Sequence, residues 1–393
     1  MYKITSNSEG VCAPLGFYAD GISAGLKPDG AKDMAFVYSD QVCALASVLT
    51  TNKMAAAPIH HAKGVKQTNF VMINSKNANA MTGKPGMADL EEILESVKQE
   101  KKALINPLMS STGVIGVRLP KEKIVEGTKK FDLSVKNPHA AAEAIMTTDR
   151  FSKEIAVDVE LEDGKIFTIG AMAKGAGMIN PAMATMLCYI TTDAQINYIT
   201  MKEILERVNA KTFNAASVDG DTSTNDTVFL MSNARAVCHD DDAFEEALFI
   251  VMDFLAKELV RDGEGATKLV TYHVTGAYSN TEAEKVAKTL SNSLLIKTAL
   301  FGEDPNWGRI AMSVGASGAM CDEEKLTIAY EDVVLFRQGE NLFNDEIEVL
   351  ASEVMKRDAF TINVDLGVGG GSFRAYGCDL GNEYISINAD YRT

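Results

Sequence analysis

The chain has 393 residues, 46% hydrophobic and 23% charged, with a mean hydropathy of -0.03, the profile of a globular protein with room for a large core. Its net charge of -16 argues against nucleic acid and anionic membrane surfaces as partners. No apolar run reaches the twenty or so residues a membrane span needs, no secretory leader is visible, and the six cysteines lack any C-x-x-C pair, so a cytoplasmic protein with reduced, mostly buried thiols is expected.

In chain order, Gly16 to Asp33 is glycine-rich and turn-like. Ala35 to Tyr38, Ala44 to Thr50 and Asn69 to Asn74 are short apolar runs bounded by turn residues, the pattern of strands. Asn74-Ser75-Lys76-Asn77-Ala78-Asn79-Ala80 is too amide-rich for a helix interior, because asparagine side chains compete for the backbone; it reads as a capped turn or a binding loop. Asp89 to Lys102 sets Leu90, Ile93, Leu94 and Val97 at helical spacing. In Leu108 to Val117, small hydroxyl residues running into glycine can present a hydroxyl beside a backbone N–H, as a developing oxyanion needs. A tight turn before a strand fits the same residues.

Asn137 and Pro138 read as cap and first residue of a helix to Met146, followed by the polar cluster Thr147-Thr148-Asp149. Ile155 to Glu160 and Lys165 to Ile169 form a hairpin around Glu162-Asp163-Gly164. The stretch Lys174 to Ala194 then passes from a glycine-rich, proline-containing approach to an apolar, β-favouring run at Ala184-Thr185. One threonine therefore stands where a loop becomes a strand.

Thr200 to Glu203 is a capping box for a helix to Phe213. Ser217 to Thr227 is a dense polar run, read either as a solvated loop or as a cation or substrate site. Asp240 to Asp242 cap an apolar helix from Ala243 to Arg261, which Gly263 stops. Glu264 thus lies between two glycines, where it gains no packing and is a candidate for function. Thr281 to Glu284 is a second capping box, Trp307 lies in the loop Gly302 to Arg309, and Asp365 to Ser372 is a glycine-rich strand connection without a P-loop lysine. The five histidines have no clustered spacing that would hold a metal. Irregular alternation of helices and strands indicates an α+β fold with mixed or antiparallel sheets.

Several of these segments, in this order, closely resemble the ornithine acetyltransferase family of arginine biosynthesis, also called bifunctional glutamate N-acetyltransferases. The resemblance covers nearly the whole chain. It rests on the amide-rich loop, Ser111 to Gly116, Lys174-Gly175 through Ala184-Thr185, Asp262 to Lys268, and Asn388 to Thr393. One departure is Lys76, where the family pattern has a glycine; a positive φ at that position would strain the lysine modestly.

The resemblance implies an αββα layered fold and self-cleavage at the Ala184–Thr185 bond into residues 1–184 and 185–393, with the pieces pairing as an α2β2 heterotetramer. Residues 1–184 carry 21 basic and 20 acidic side chains and residues 185–393 carry 17 and 34, so the charge changes at the same bond. It also implies Thr185 as nucleophile, Thr112 and Gly113 as oxyanion hole, and Thr148, Lys174, Thr185, Glu264, Asn388 and Thr393 in contact with substrate. A threonine hydroxyl needs a base, and no Ser/His/Asp arrangement is visible. The α-amine freed by cleavage, with an ordinary pKa near 8, suits that task.

The implied reaction moves the acetyl group of N2-acetylornithine to glutamate through acetyl-Thr185, without metal or other cofactor. Whether acetyl-CoA is a second acetyl donor stays open. Two other readings remain at this point: an N-terminal-nucleophile amidohydrolase or aminopeptidase, and a non-catalytic binding protein whose chain stays intact.

Overall fold

Strands buried on both faces decide the layering. In the computed structural model, which describes residues 2–180 and 186–390, strand Met34–Leu49 sends Ala35 and Val37 into one apolar cluster and Met34 and Phe36 into another. Successive side chains of a strand point to opposite faces. Strand Gln67–Asn74 divides Val71 and Ile73 from Phe70 and Met72 in the same way. Strands Leu187–Thr192 and Thr227–Ser232 contribute Leu187, Tyr189, Phe229 and Met231 to the shared cluster and turn Cys188, Ile190, Val228 and Leu230 to a third.

The shared cluster is therefore a core between two β layers, and each outer face carries helices. Gly83–Glu100 and Lys121–Thr128 cover one face through Leu90, Ile93, Leu94, Val97 and Ile124. Tyr198–Lys211 and Asp241–Arg261 cover the other. This is the expected αββα arrangement.

The layers are continuous in one nine-stranded sheet. Met34–Leu49 runs through both: its first part pairs with Phe17–Ile22, its last part with Thr227–Ser232, and its register against Gln67–Asn74 shifts between Tyr38 and Cys43. Such an irregularity bends a strand, which is why one strand stands where two were expected. Residues 269–378 build a second, six-stranded sheet with its own apolar cluster.

Other boundaries move for local reasons. Phe17–Ile22 is a strand rather than part of a turn-like opening. The caps of the helices Tyr198–Lys211 and Asn280–Asn292 are Asn197 and Ser279, whose side chains accept from Thr200 N and Glu282 N; each stands before the threonine expected to cap. Trp307 begins helix Trp307–Ala316 and stacks on Phe336 with ring centroids 5.1 Å apart, so it is packed rather than in a loop. Asn137, Asp240, the hairpin at Gly164 and five buried cysteines stand as expected, with Cys321 exposed.

Lys76 adopts φ 78°, the left-handed region where a glycine costs least. Lys76→Gly is expected to raise stability by less than about 1 kcal/mol, read as a small upward shift of Tm in parallel melts. A lower Tm would mean that the side chain contributes more than the strain costs.

Candidate active site

Several chain segments meet at one cavity. Strand Leu108–Ser111 delivers Thr112 and Gly113. The loop after helix Pro138–Ala144 delivers Thr147 and Thr148. The end of strand Ile166–Lys174 delivers Lys174, and the turn after Asp241–Arg261 delivers Glu264. Asn388, on helix Asn382–Asp390, completes the lining. Of the residues expected to act, Thr112, Gly113, Thr148, Lys174, Glu264 and Asn388 thus line one space. Ala184, Thr185 and Thr393 lie outside the described residues. A larger cavity of about 830 Å³, bordered by His61, Lys66 and Tyr198, contains none of them.

Gly113 has φ 129°, and a Cβ there would stand 2.2 Å from the Lys76 carbonyl carbon. Thr112 N donates to Asn74 O and Val114 N to Lys76 O. Between them, Gly113 N–H has no acceptor among the described residues. A backbone donor left open beside the Thr112 hydroxyl is the geometry of an oxyanion site.

Lys174 is buried. Its Nζ donates to Thr147 Oγ1 at 2.7 Å, lies 3.5 Å from Thr112 Oγ1, and faces Asp149 Oδ2 at 3.7 Å. Burial lowers the pKa of the ammonium; Asp149 opposes that fall and Lys153 adds to it. Asp149 is itself buried, which by itself would raise its carboxyl. The Lys174 and Lys153 ammoniums and the Thr147 N–H more than offset burial and hold it below the usual carboxylate range. Asp149 also accepts from Gly175 N at 2.6 Å, tying the polar loop to the strand end.

Lys153 continues the network with no exposed side-chain surface, donating to Asp149 Oδ1 at 2.9 Å and Asp262 Oδ2 at 2.5 Å. Asp262 also accepts from Arg150 N and Nε at 3.1 Å. Glu264, two residues on, accepts from Asn388 Nδ2 at 2.8 Å, and a Cβ on Gly177 would lie 2.5 Å from its carboxyl. Gly177 is small because Glu264 occupies that space.

The polar run Ser217 to Thr227 is not a solvated loop: Ser223, Thr224, Asn225 and Asp226 are buried. Asn225 Nδ2 donates to Ala78 O and Ser111 O at 2.7 and 2.8 Å, fastening the amide-rich loop to the strand that carries Thr112.

The sequence pattern of the ArgJ family matches residues 18–393. The chain belongs to the ArgJ family. The arginine biosynthesis bifunctional protein ArgJ of Wolinella succinogenes is 57% identical over 396 residues, covering 100% of both chains. A crystal structure of ArgJ from Bacillus halodurans is 41% identical with a TM-score of 0.50, and 52% of this chain covers 98% of that one. Ornithine acetyltransferase from Mycobacterium tuberculosis, crystallised with ornithine, is 32% identical, covers 48% of this chain over 100% of its own, and has a TM-score of 0.41.

For an ArgJ chain, the residues that reading the sequence missed are Thr147, Asp149, Lys153, Asn225 and Asp262. Asp262 opens one of the segments that carry the resemblance, but no role was read for it, and its partner lies far away in sequence: 109 positions separate Lys153 from Asp262. The one available signal was Asp149 inside a polar cluster that also held Thr148.

Proposed function

We propose that this ArgJ chain transfers the acetyl group of N2-acetylornithine to glutamate, releasing ornithine and then N-acetylglutamate, with Thr185 as the acyl carrier. The observation that carries the reading is the convergence of an open Gly113 N–H, the Thr112 hydroxyl and the Lys174 ammonium on one cavity. Thr185 Oγ attacks the acetyl carbonyl, Gly113 N–H and Thr112 hydroxyl hold the oxyanion, and ornithine leaves. Glutamate then takes the acetyl group through its own α-amine. The Lys174 ammonium binds the α-carboxylate common to both substrates. Thr148, Asn388 and Thr393 offer neutral groups that turn to meet either an ammonium or a carboxylate, and Glu264 meets the ammonium.

The base is the Thr185 α-amine, so the chain must first be cut at Ala184–Thr185 into residues 1–184 and 185–393, which stay together as one site and pair into an α2β2 assembly in the cytoplasm. The Bacillus halodurans crystal chain, matched almost whole by 52% of this one, has the length of one such piece. The deciding experiment supplies N2-acetylornithine with and without glutamate. The transferase makes N-acetylglutamate and depends on the acceptor; acetate formed regardless of glutamate would mean a hydrolase. Adding acetyl-CoA in place of N2-acetylornithine tests the second donor.

Lys174 gives a pH test. Because burial lowers its pKa, substrate affinity is expected to weaken as pH rises through a value below the ~10.4 of an ordinary lysine. Lys174→Gln is expected to raise KM for both substrates roughly 10- to 100-fold, the size of a lost charge-assisted hydrogen bond. Equal KM values across pH 7 to 10, or in the variant, would take Lys174 out of carboxylate binding.

A further inference from the structure

One side-chain amide joins the two segments that build the oxyanion site. Asn225 is buried, 4% exposed. Its Nδ2 donates to Ala78 O at 2.7 Å and to Ser111 O at 2.8 Å, and its Oδ1 accepts from the Thr224 hydroxyl at 2.6 Å. An asparagine amide has two donor hydrogens. Both are spent on backbone carbonyls, so Asn225 borders the cavity with no donor left for a substrate.

Both carbonyls bear on Gly113. The peptide group between Ser111 and Thr112 is planar and is tied at both ends, Ser111 O by Asn225 and Thr112 N by Asn74 O at 3.0 Å. The peptide group on the other side of Gly113 is tied through Val114 N, which donates to Lys76 O at 3.1 Å. The open Gly113 N–H therefore belongs to a peptide group held between two fixed ones, and its direction follows theirs. Ala78 completes the clamp: its O is held by Asn225 and its N donates to Val114 O at 3.0 Å.

We propose that Asn225 is a positioning residue that aims the Gly113 N–H at the oxyanion of acetyl transfer. The proposal rests on the reaction in the proposed function. Asn225 lies in residues 185–393, whereas Ala78, Ser111 and Gly113 lie in residues 1–184, so one piece of the chain sets the oxyanion donor carried by the other. An oxyanion donor must stand 2.7–3.1 Å from the charge that develops in the transition state, and a shift of about 1 Å costs about 100-fold in rate. The loss falls on kcat, because substrate is held by Lys174, Thr148 and Glu264 and none of these touches Asn225.

The test is full-length Asn225→Asp, a side chain of the same shape whose carboxylate has no hydrogen for either carbonyl. Per cut chain, kcat is expected to fall about 100-fold, with KM for N2-acetylornithine and for glutamate within about twofold of wild type. Given N2-acetylornithine alone, all of the cut variant is expected to become acetylated, about 100-fold more slowly, as intact mass reads. Wild-type kcat overturns the proposal. A KM raised tenfold or more overturns it by placing Asn225 in substrate binding, and so does acetylation of a small fraction at the wild-type rate, which would mean a few intact sites among damaged ones. If Asn225→Asp fails to fold or is not cut, Thr224→Val decides. It keeps both Nδ2 bonds and removes only the hydroxyl that orients the amide, so kcat is expected to fall up to about tenfold at unchanged KM, and wild-type kcat there overturns the proposal. A wild type that makes no N-acetylglutamate defeats the proposed function itself. An active wild type beside an equally fast variant defeats only the role of Asn225.

Discussion

Thr185→Ala is expected to remain a single chain of 393 residues and to transfer no acetyl group, with activity down at least about 10⁴-fold, to the assay background. One substitution is expected to remove two functions because, in the proposed mechanism, the hydroxyl that attacks Ala184 in maturation is the same hydroxyl that carries the acetyl group in turnover. Thr185→Ser separates the two causes of failure. Serine keeps a hydroxyl and, once cut, an α-amine, so it is expected to be cleaved and to turn over slowly. Intact-mass measurement checks cleavage, and with N2-acetylornithine alone it also reads the acyl-enzyme: the wild-type piece beginning at Thr185 is expected to gain one acetyl group. An uncut Thr185→Ala chain that still makes N-acetylglutamate would remove Thr185 from the mechanism. In the wild type, activity is expected to rise toward about pH 8 as the α-amine loses its proton.

The fold was legible where burial follows chain periodicity. Leu90, Ile93, Leu94 and Val97 declare a helix, and the strands with apolar residues on both faces declare a layered core. Met34–Leu49 was divided because Ser39, Asp40 and Gln41 look like a turn, whereas they occupy the bend between two pairing partners. Thr200 and Thr281 have capping-box spacing, but Asn197 and Ser279 reach the open N–H groups first. Within the site, Glu264 could be noticed between its glycines, while Thr112, Thr148, Lys174 and Asn388 gained meaning through a family resemblance. The 217–227 run was open between a solvated loop and a cation or substrate site because its polarity is visible in sequence and its backbone partners are not. The charge network escaped for the same reason: Asp149, Lys153 and Asp262 each look like surface residues until three elements bring them together.

That network predicts the largest loss of stability. Lys153→Met removes the ammonium between Asp149 and Asp262, both without exposed side-chain surface, and leaves two buried carboxyls short of a partner. Breaking a buried pair from one side costs about 3–5 kcal/mol, so for a chain of this length a Tm lower by roughly 5 °C is expected. The pH dependence follows from the sign of the Asp149 shift. Its carboxyl is held below the usual range, so it contributes stability above about pH 4 that is lost as pH falls through its lowered folded-state pKa. Without Lys153 one of the attractions holding it down is gone, the folded-state pKa rises, and the acid limb of unfolding moves to higher pH. Activity falls with stability, since Asp149 also holds Gly175 N and faces Lys174. Adding Asp262→Asn to Lys153→Met separates a network from independent contacts: with one unpaired carboxylate neutralised, the second change is expected to cost much less than Asp262→Asn does alone. Strictly additive losses would mean that these three residues act as separate contacts, and that the Lys174 side of the site is held by Thr147 without help from the charges behind it.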